Sequence, residues 1–375
     1  MTAFSLAFAA HAVHRHGGQE RAAAEILTRV ARHVPVTVLA EECELGPDVA
    51  RFEPIAMGRG PSLLRAAAFQ RAVARAERRV GATLLNSIGA AARDADVITA
   101  QFCQAAFTAR FGGLRGGTGA RRRWQQFAQS RFTAHERHAY AHPRLKRVIA
   151  VSHGTARELA EHYGVPGSIM RVVPNGVDHA TFRPARDAAE KQALRDELGL
   201  PRDQCIALFV GGDWARKGLD AAMAAVAPLH DVLFVIVGHG PIAEYERRAQ
   251  ELGARERVRF AGFSQRTQDW YAAADLFLFP SHYEAFSLVT LEAAAAGLPI
   301  VCHRINGTEE LITEGENGNL VPHGADALRT ALTTLRDDSA LRARMSTAAV
   351  QHSQRYAWDT VADAYLAVLA EAARA

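Results

Sequence analysis

Two glutamates eight residues apart, Glu284 and Glu292, sit in a stretch whose types suit sugar and phosphate chemistry. The chain there runs Pro280-Ser281-His282-Tyr283-Glu284-Ala285-Phe286-Ser287-Leu288, then an apolar run closed by Gly297 and Pro299. Ser287 is a good N-cap for a helix over 288–296, and Gly297 with Pro299 stops it. The free amides of Phe286, Ser287 and Leu288 then point out of a helix N-terminus, where unpaired N–H donors and the helix dipole favour phosphate. Glu284 follows a strand-like run, at the carboxyl end where α/β sheets bind ligands, and can accept hydrogen bonds from sugar hydroxyls. Glu292 can reach a ribose. Taken alone, the pair is better explained as a solvated loop acid and an ordinary helix carboxylate.

A second cluster is cationic. Phe209-Val210-Gly211-Gly212-Asp213-Trp214-Ala215-Arg216-Lys217-Gly218 carries a strand into a glycine-containing loop with adjacent cations before a helix. Arg216 offers a planar fork of donors and Lys217 a mobile point charge, which together can neutralise a departing diphosphate. Near the N-terminus, His14-Arg15-His16-Gly17-Gly18 joins a strand to a helix, where the two glycines allow backbone to approach a ligand closely, a plain tight turn explaining them nearly as well. His11, His14 and His16 are irregularly spaced without companion carboxylates, so no metal is expected there. Gly238-His239-Gly240-Pro241-Ile242-Ala243 matches a dinucleotide-binding pattern, but the following strand ends Arg259-Phe260-Ala261-Gly262-Phe263 without the acid a ribose would need. An oxidoreductase is therefore disfavoured.

These residues require a scaffold that brings strand ends together. From Cys205 onward, strand-like runs at 206–210, 232–237, 258–260, 276–279 and 299–302 alternate with segments long enough to be crossover helices, among them 219–227. That order predicts a doubly wound parallel sheet. The N-terminal half predicts strands near 3–9, 36–40, 97–100 and 148–151, with helices over 20–32, 63–80 and 123–140. Pro174-Asn175-Gly176-Val177-Asp178 reads as a hinge. The expected domains are 1–172 and 173–355, followed by a terminal segment 356–375 with an amphipathic helix from Trp358.

At 375 residues the chain exceeds what one core usually supports. The apolar start at 4–10 lacks a basic flank and fits a first strand better than a signal peptide, and no run approaches bilayer length. Cys43, Cys103, Cys205 and Cys302 form no CxxC pair, which points away from structural zinc or a disulfide framework and toward a reducing cytoplasm. The net charge is +4, but the basic excess is local: ten Lys/Arg between Arg110 and Arg147 face one acid, Glu136. Arg121-Arg122-Arg123 beside Trp124, after the glycine-rich 111–119 loop, suit an anionic acceptor or an anionic membrane face; a solvated helix explains them equally. No nucleic-acid-binding motif accompanies the charge.

In this order and spacing, the motifs resemble family 4 glycosyltransferases of the GT-B fold: Val151-Ser152, Pro174-Asn175-Gly176-Val177-Asp178, Arg216-Lys217-Gly218, Val237-Gly238-His239-Gly240, Phe260-Ala261-Gly262, and Glu284 with Glu292. The resemblance implies two Rossmann-like domains facing across a cleft, with the last helix crossing back to the first domain. It implies a retaining, metal-independent transfer from a nucleotide sugar, a substrate and not a cofactor, to a glycan or glycolipid hydroxyl. Glu284 would hold the donor sugar, Glu292 the ribose, Arg216 and Lys217 the diphosphate, and the amides of Phe286, Ser287 and Leu288 with Gly18 the phosphates. The base would lie near the backbone of Gly262 and Phe263. The Arg-Lys-Gly loop is similar to that of lipopolysaccharide core glucosyltransferases.

Three positions depart from the family pattern: Ser287 replaces a glycine, Asp213 stands where an arginine is common, and the cleft histidine is not identifiable. Gln101 is the candidate substitute for that histidine, with His14 and Arg121–Arg123 as further acceptor-side candidates. A GT-B epimerase and a non-catalytic anionic-ligand or nucleic-acid binder are the competing readings, though nucleic acid is not an expected partner. The expected location is cytoplasmic, with peripheral contact to the inner face of a membrane.

Overall fold

The computed structural model describes residues 4–56, 62–111 and 120–375, so the glycine-rich 112–119 segment lies outside the described residues, as do the side chains of Arg121 and Arg122. The chain divides into two compact units, Met1–Asn175 with Trp358–Ala375, and Gly176–Ala357.

In the first unit the strands are β1 (Leu6–Ala9), β2 (Ala12–Val13), β3 (Val36–Ala40), β4 (Glu42–Cys43), β5 (Arg51–Pro54), β6 (Leu84–Ile88), β7 (Val97–Ala100), β8 (Arg147–Ala150) and β9 (Met170–Val172). Seven of them form one sheet in the order β5-β3-β1-β6-β7-β8-β9, with β2 and β4 paired separately, and the pairings are parallel. Central parallel strands are covered on both faces, so β1 and β7 read as unbroken buried runs. β5, β6 and β9 are strands that the sequence does not announce. In β6 the reason is chemical: Asn86 and Ser87 are fully buried where an apolar pattern would be expected. Asn86 donates to the Tyr365 hydroxyl at 2.6 Å and accepts from Thr99 at 3.1 Å, so its amide is satisfied inside the core. Tyr365 belongs to the last helix, Trp358–Arg374, which packs within this unit and is tied to the helix Gln19–Val30 by Arg29 and Asp359 at 2.7 Å.

The second unit contains β10 (Cys205–Val210), β11 (Val232–Val237), β12 (Val258–Gly262), β13 (Leu276–Phe279), β14 (Ile300–His303) and β15 (Gly318–Val321). Their order is β12-β11-β10-β13-β14-β15, again parallel. The strands at 232–237 and 276–279 fall where the apolar runs place them; β15, whose polar Asn319 interrupts its pattern, is an addition. The order reverses between β10 and β13, and such a switch point opens a crevice at the carboxyl ends of the two strands. The residues after β10 and β13 therefore share one sheet edge. At the opposite edge, Asp275 accepts from Ile206 N–H at 2.8 Å, from Lys191 at 2.7 Å and from the buried Arg195 at 2.6 Å, binding the helix Ala188–Glu197 to both strands.

Candidate functional site

The β10 and β13 loops converge on three charged side chains. Arg216 Nη1 donates to Glu284 Oε1 at 2.7 Å and to the Tyr283 carbonyl at 2.6 Å, while Nε donates to Asp213 at 2.9 Å. Lys217 Nζ lies 4.0 Å from Glu284 and 4.9 Å from the centre of the Phe279 ring. Burial acts to lower the pKa of Arg216, but Glu284 and Asp213 outweigh it and hold it above its ordinary value. For Lys217 burial wins: the ammonium falls below its ordinary value, with Glu284 opposing and Arg216 adding to the fall. A buried cation with weakened support gains from an incoming anion, which is what a diphosphate supplies.

Backbone geometry makes room for this cluster. Gly211 has φ +137°, and a Cβ there would stand 2.5 Å from Lys217 Nζ. Gly218, φ +74°, would carry a Cβ 2.1 Å from the Pro280 carbonyl oxygen. Only glycine lets the β10 loop close over its own lysine and against the β13 loop. Asp213 itself adopts φ +50°, a left-handed conformation that aspartate tolerates better than most residues, and so turns its carboxylate to Arg216.

Ser287 caps the helix Leu288–Ala295, its hydroxyl accepting from Thr290 N–H at 3.4 Å and from Thr290 Oγ1 at 2.9 Å. Phe286 and Leu288 flank it and are buried. Glu292 is buried in the same helix and accepts from the Tyr271 hydroxyl at 2.9 Å. Farther along the edge, Gly262 (φ +73°) accepts from Gly238 N–H at 2.7 Å, and the exposed Phe263 ring stacks on His239 at 4.8 Å and 5°. Sequence reasoning missed Tyr271 and gave no role to Ser281. The latter is fully buried after β13, with its hydroxyl 3.3 Å from Glu284 Oε1. A small polar residue closing an apolar strand was the available signal.

The first unit has its own cavity of about 290 Å³, lined among others by His11, Gln70, Gln101, Gln104, His135 and Glu136. Gln101 and Asn175 exchange hydrogen bonds of 2.9 and 3.2 Å through their amides. Glu136 accepts from Tyr163 at 2.6 Å and from Gln104 N–H at 3.0 Å, yet burial outweighs both and pushes its carboxyl up to about 7. Burial likewise lowers the imidazoles of His11 and His135, so on this wall it works against the charged form of all three groups. His14 is not among the lining residues; its Nδ1 accepts from His16 N–H at 3.3 Å. The left-handed residue of that turn is Gly17 (φ +76°), whereas Gly18 (φ −100°) caps the following helix with open space where a Cβ would stand. Arg123 is exposed on the helix Ala120–Tyr140, next to Trp124 and Phe127, whose exposed rings lie 5.8 Å apart.

Residues 16–181 match the family model of glycosyltransferase family 4, and residues 190–352 match that of the glycosyl transferases group 1. Curated relatives include the D-inositol 3-phosphate glycosyltransferases of Xylanimonas cellulosilytica, 36% identical over 60% of this chain and 57% of that protein, and of Streptomyces bingchenggensis, 36% identical over 61% and 53%. The chain thus spans a little over half the length of these relatives. Among solved structures, WaaG, a glycosyltransferase involved in lipopolysaccharide biosynthesis, gives a TM-score of 0.80 at 23% identity over 97% of this chain and 99% of that one. Anabaena HepE, solved with UDP and glucose, gives 0.78 at 20% identity over 98% and 99%. These likenesses fix the fold as GT-B, built of two Rossmann-like domains. Both halves of the chain belong to glycosyltransferase families, the first to family 4 and the second to group 1.

Proposed function

We propose that the chain transfers a hexose-type sugar from a nucleotide-diphosphate sugar to a hydroxyl group of a glycan or glycolipid, with retention at the anomeric carbon. The observation that carries this reading is the Arg216–Glu284–Lys217 cluster at the β10/β13 switch point, one loop away from the capped N-terminus of Leu288–Ala295. Arg216, held by Asp213 and the Tyr283 carbonyl, orients Glu284 toward sugar hydroxyls. Lys217 and the amides around Ser287 take the charge that develops as the diphosphate leaves, and the acceptor hydroxyl attacks the same face. Glu292 is assigned to the ribose and the Gly262–Phe263 edge to the base. Neither Mg²⁺ nor Mn²⁺ is required, because side-chain cations supply the charge. HepE is solved in complex with UDP-glucose, and the curated relatives are named for glycosyl transfer, which supports a nucleotide-sugar donor and this class of reaction.

The experiment is a thermal-shift screen of nucleoside diphosphates and nucleotide sugars, followed by NMR of the product linkage. Stabilisation by one nucleoside diphosphate, an α linkage from an α donor, and turnover that survives chelation are expected. An inverted linkage, or dependence on either hard cation, overturns the reading.

The acceptor side is assigned to the first unit. Arg121, Arg122 and Arg123 beside Trp124 and Phe127 support peripheral docking on an anionic cytoplasmic leaflet, each basic residue contributing roughly 1 kcal/mol. No helix among the described residues is long and apolar enough to cross a membrane. Cosedimentation with anionic but not neutral liposomes, released by moderate salt and lost in an Arg121/Arg122/Arg123→Ser variant, is the expected result. Equal binding by the variant removes this role.

A further inference from the structure

Three histidines meet at the edge of the second unit's sheet, and the donor chemistry assigned above does not use them. His282 lies three residues beyond the end of β13, His303 is the last residue of β14, and His323 lies two beyond β15. These strands are consecutive neighbours in a parallel sheet, so their carboxyl ends deliver the three imidazoles to one place. One ring nitrogen from each falls within 4.8 Å of the other two. The His303 and His323 rings are 4.1 Å apart, with His282 at 5.8 and 5.4 Å from them.

His303 is the informative member. It is fully buried, and although the backbone of Ser281 and Pro280 approaches its ring, neither ring nitrogen closes a hydrogen bond of ordinary geometry. A buried imidazole left in that state is costly, and a smaller apolar residue would close β14 without the cost. A metal ion between the three rings removes the deficit. We propose that His282, His303 and His323 form a binding site for a borderline-soft divalent transition ion of the zinc class.

The donor set is three imidazole nitrogens with no carboxylate in the group. Such a set suits Zn²⁺, Co²⁺, Ni²⁺ or Cu²⁺ and is poor for Mg²⁺ or Ca²⁺, which take oxygen ligands. Tetrahedral zinc, with bonds of about 2.0–2.1 Å, needs nitrogens roughly 3.3 Å apart, so the triad must contract by about 1.5 Å. Rotation of the exposed His323 and half-buried His282 around the fixed His303 supplies that movement. The exposure of His323 leaves a fourth position open to water.

The site does not depend on the proposed transfer reaction, since the diphosphate charge is assigned to Arg216 and Lys217. It acts on that reaction's scaffold instead. The His282 N–H donates to the Arg216 carbonyl at 2.9 Å, so an ion holding His282 to β14 and β15 also holds the loop that carries Arg216.

The test uses the full chain stripped with chelator and titrated with Zn²⁺ and Co²⁺. One equivalent per chain, a raised melting temperature and the visible absorption bands of four-coordinate Co²⁺ are expected, with no response to Mg²⁺. His323→Ala, at an exposed position, should melt like the stripped wild type yet bind Zn²⁺ about 10²-fold more weakly or worse, since even outer partners of metal ligands are worth 10–100-fold. His282→Ala should do the same. Absence of binding at micromolar Zn²⁺, or binding undiminished in both variants, overturns the proposal.

Discussion

The carboxyl strand ends of the two units carry polar groups of different kinds. In Gly176–Ala357 they are ions in contact: Arg216 against Glu284 and Asp213, with Lys217 close behind. In the first unit the cavity wall holds paired amides, lowered imidazoles and a carboxyl pushed up to about 7. A preset field costs no reorganisation when a charged group arrives or departs, whereas a wall on which burial disfavours charge can exchange hydrogen bonds with hydroxyls at a smaller desolvation cost. The contrast divides the proposed labour, with the charged donor on one sheet and the hydroxyl acceptor on the other.

The largest way to break this contrast is to orphan a buried ion. Asp275→Ala leaves the Arg195 guanidinium, 4% exposed, without its carboxylate, and should destabilise the second unit by about 3–5 kcal/mol in denaturant titration. A loss under 1 kcal/mol would mean that the carbonyls around Arg195 suffice alone. Next come Glu284→Ala and Lys217→Ala, each expected to lower turnover by about 10² or more with the far-UV spectrum unchanged. Near-wild-type turnover in either would remove that residue from the donor site.

Opposite pH slopes would sharpen the comparison. Burial tends to raise the Asp275 pKa, but Lys191 and Arg195 outweigh it and hold it low. Its stabilisation is therefore present above the ordinary carboxylate range and is lost as pH falls below about 4. Glu136 goes the other way. Its folded pKa, pushed up to about 7, means that the native state keeps a proton the unfolded chain has released, so stability declines as pH rises from about 4.5 to about 7. Glu136→Gln should flatten that decline. An unchanged slope would show that the carboxyl is not held protonated. The smallest effect is expected of Tyr365→Phe, which leaves buried Asn86 and Thr99 short of a partner and should cost about 1–2 kcal/mol.

The same contrast governs what could be read in advance. Charges and glycines advertise themselves, so Arg216, Lys217, Glu284 and the Ser287 cap can be picked out as candidates by type and spacing, although only the order of the motifs and the family resemblance lift Glu284 above an ordinary loop acid. The neutral parts are not. β6 hides because Asn86 and Ser87 break its apolar pattern, and only the last helix, nearly 280 positions away, supplies the Tyr365 hydroxyl that satisfies the amide. His11 and His135 share a cavity wall that no local spacing implies. The histidine triad escapes for the same reason: its members are separated by 20 or so residues, and strand adjacency alone unites them. At the first turn the two glycines mark a sharp change of chain direction, and the left-handed residue is Gly17.

Gly211 and Gly218 carry a consequence for anyone altering this protein. Gly218 is closed to variation by the fixed Pro280 carbonyl, 2.1 Å from where a Cβ would stand, as well as by φ, whereas Gly211 is closed by φ and by the need to displace the Lys217 ammonium, 2.5 Å away. The loops after β10 and β13 consequently behave as one part, and grafting either from a relative without the other would separate surfaces cut to fit. If the Gly262–Phe263 edge holds the base as proposed, donor preference is better retuned at His239 and Phe263, whose stacked rings a library can vary in bulk and polarity without reaching the seam.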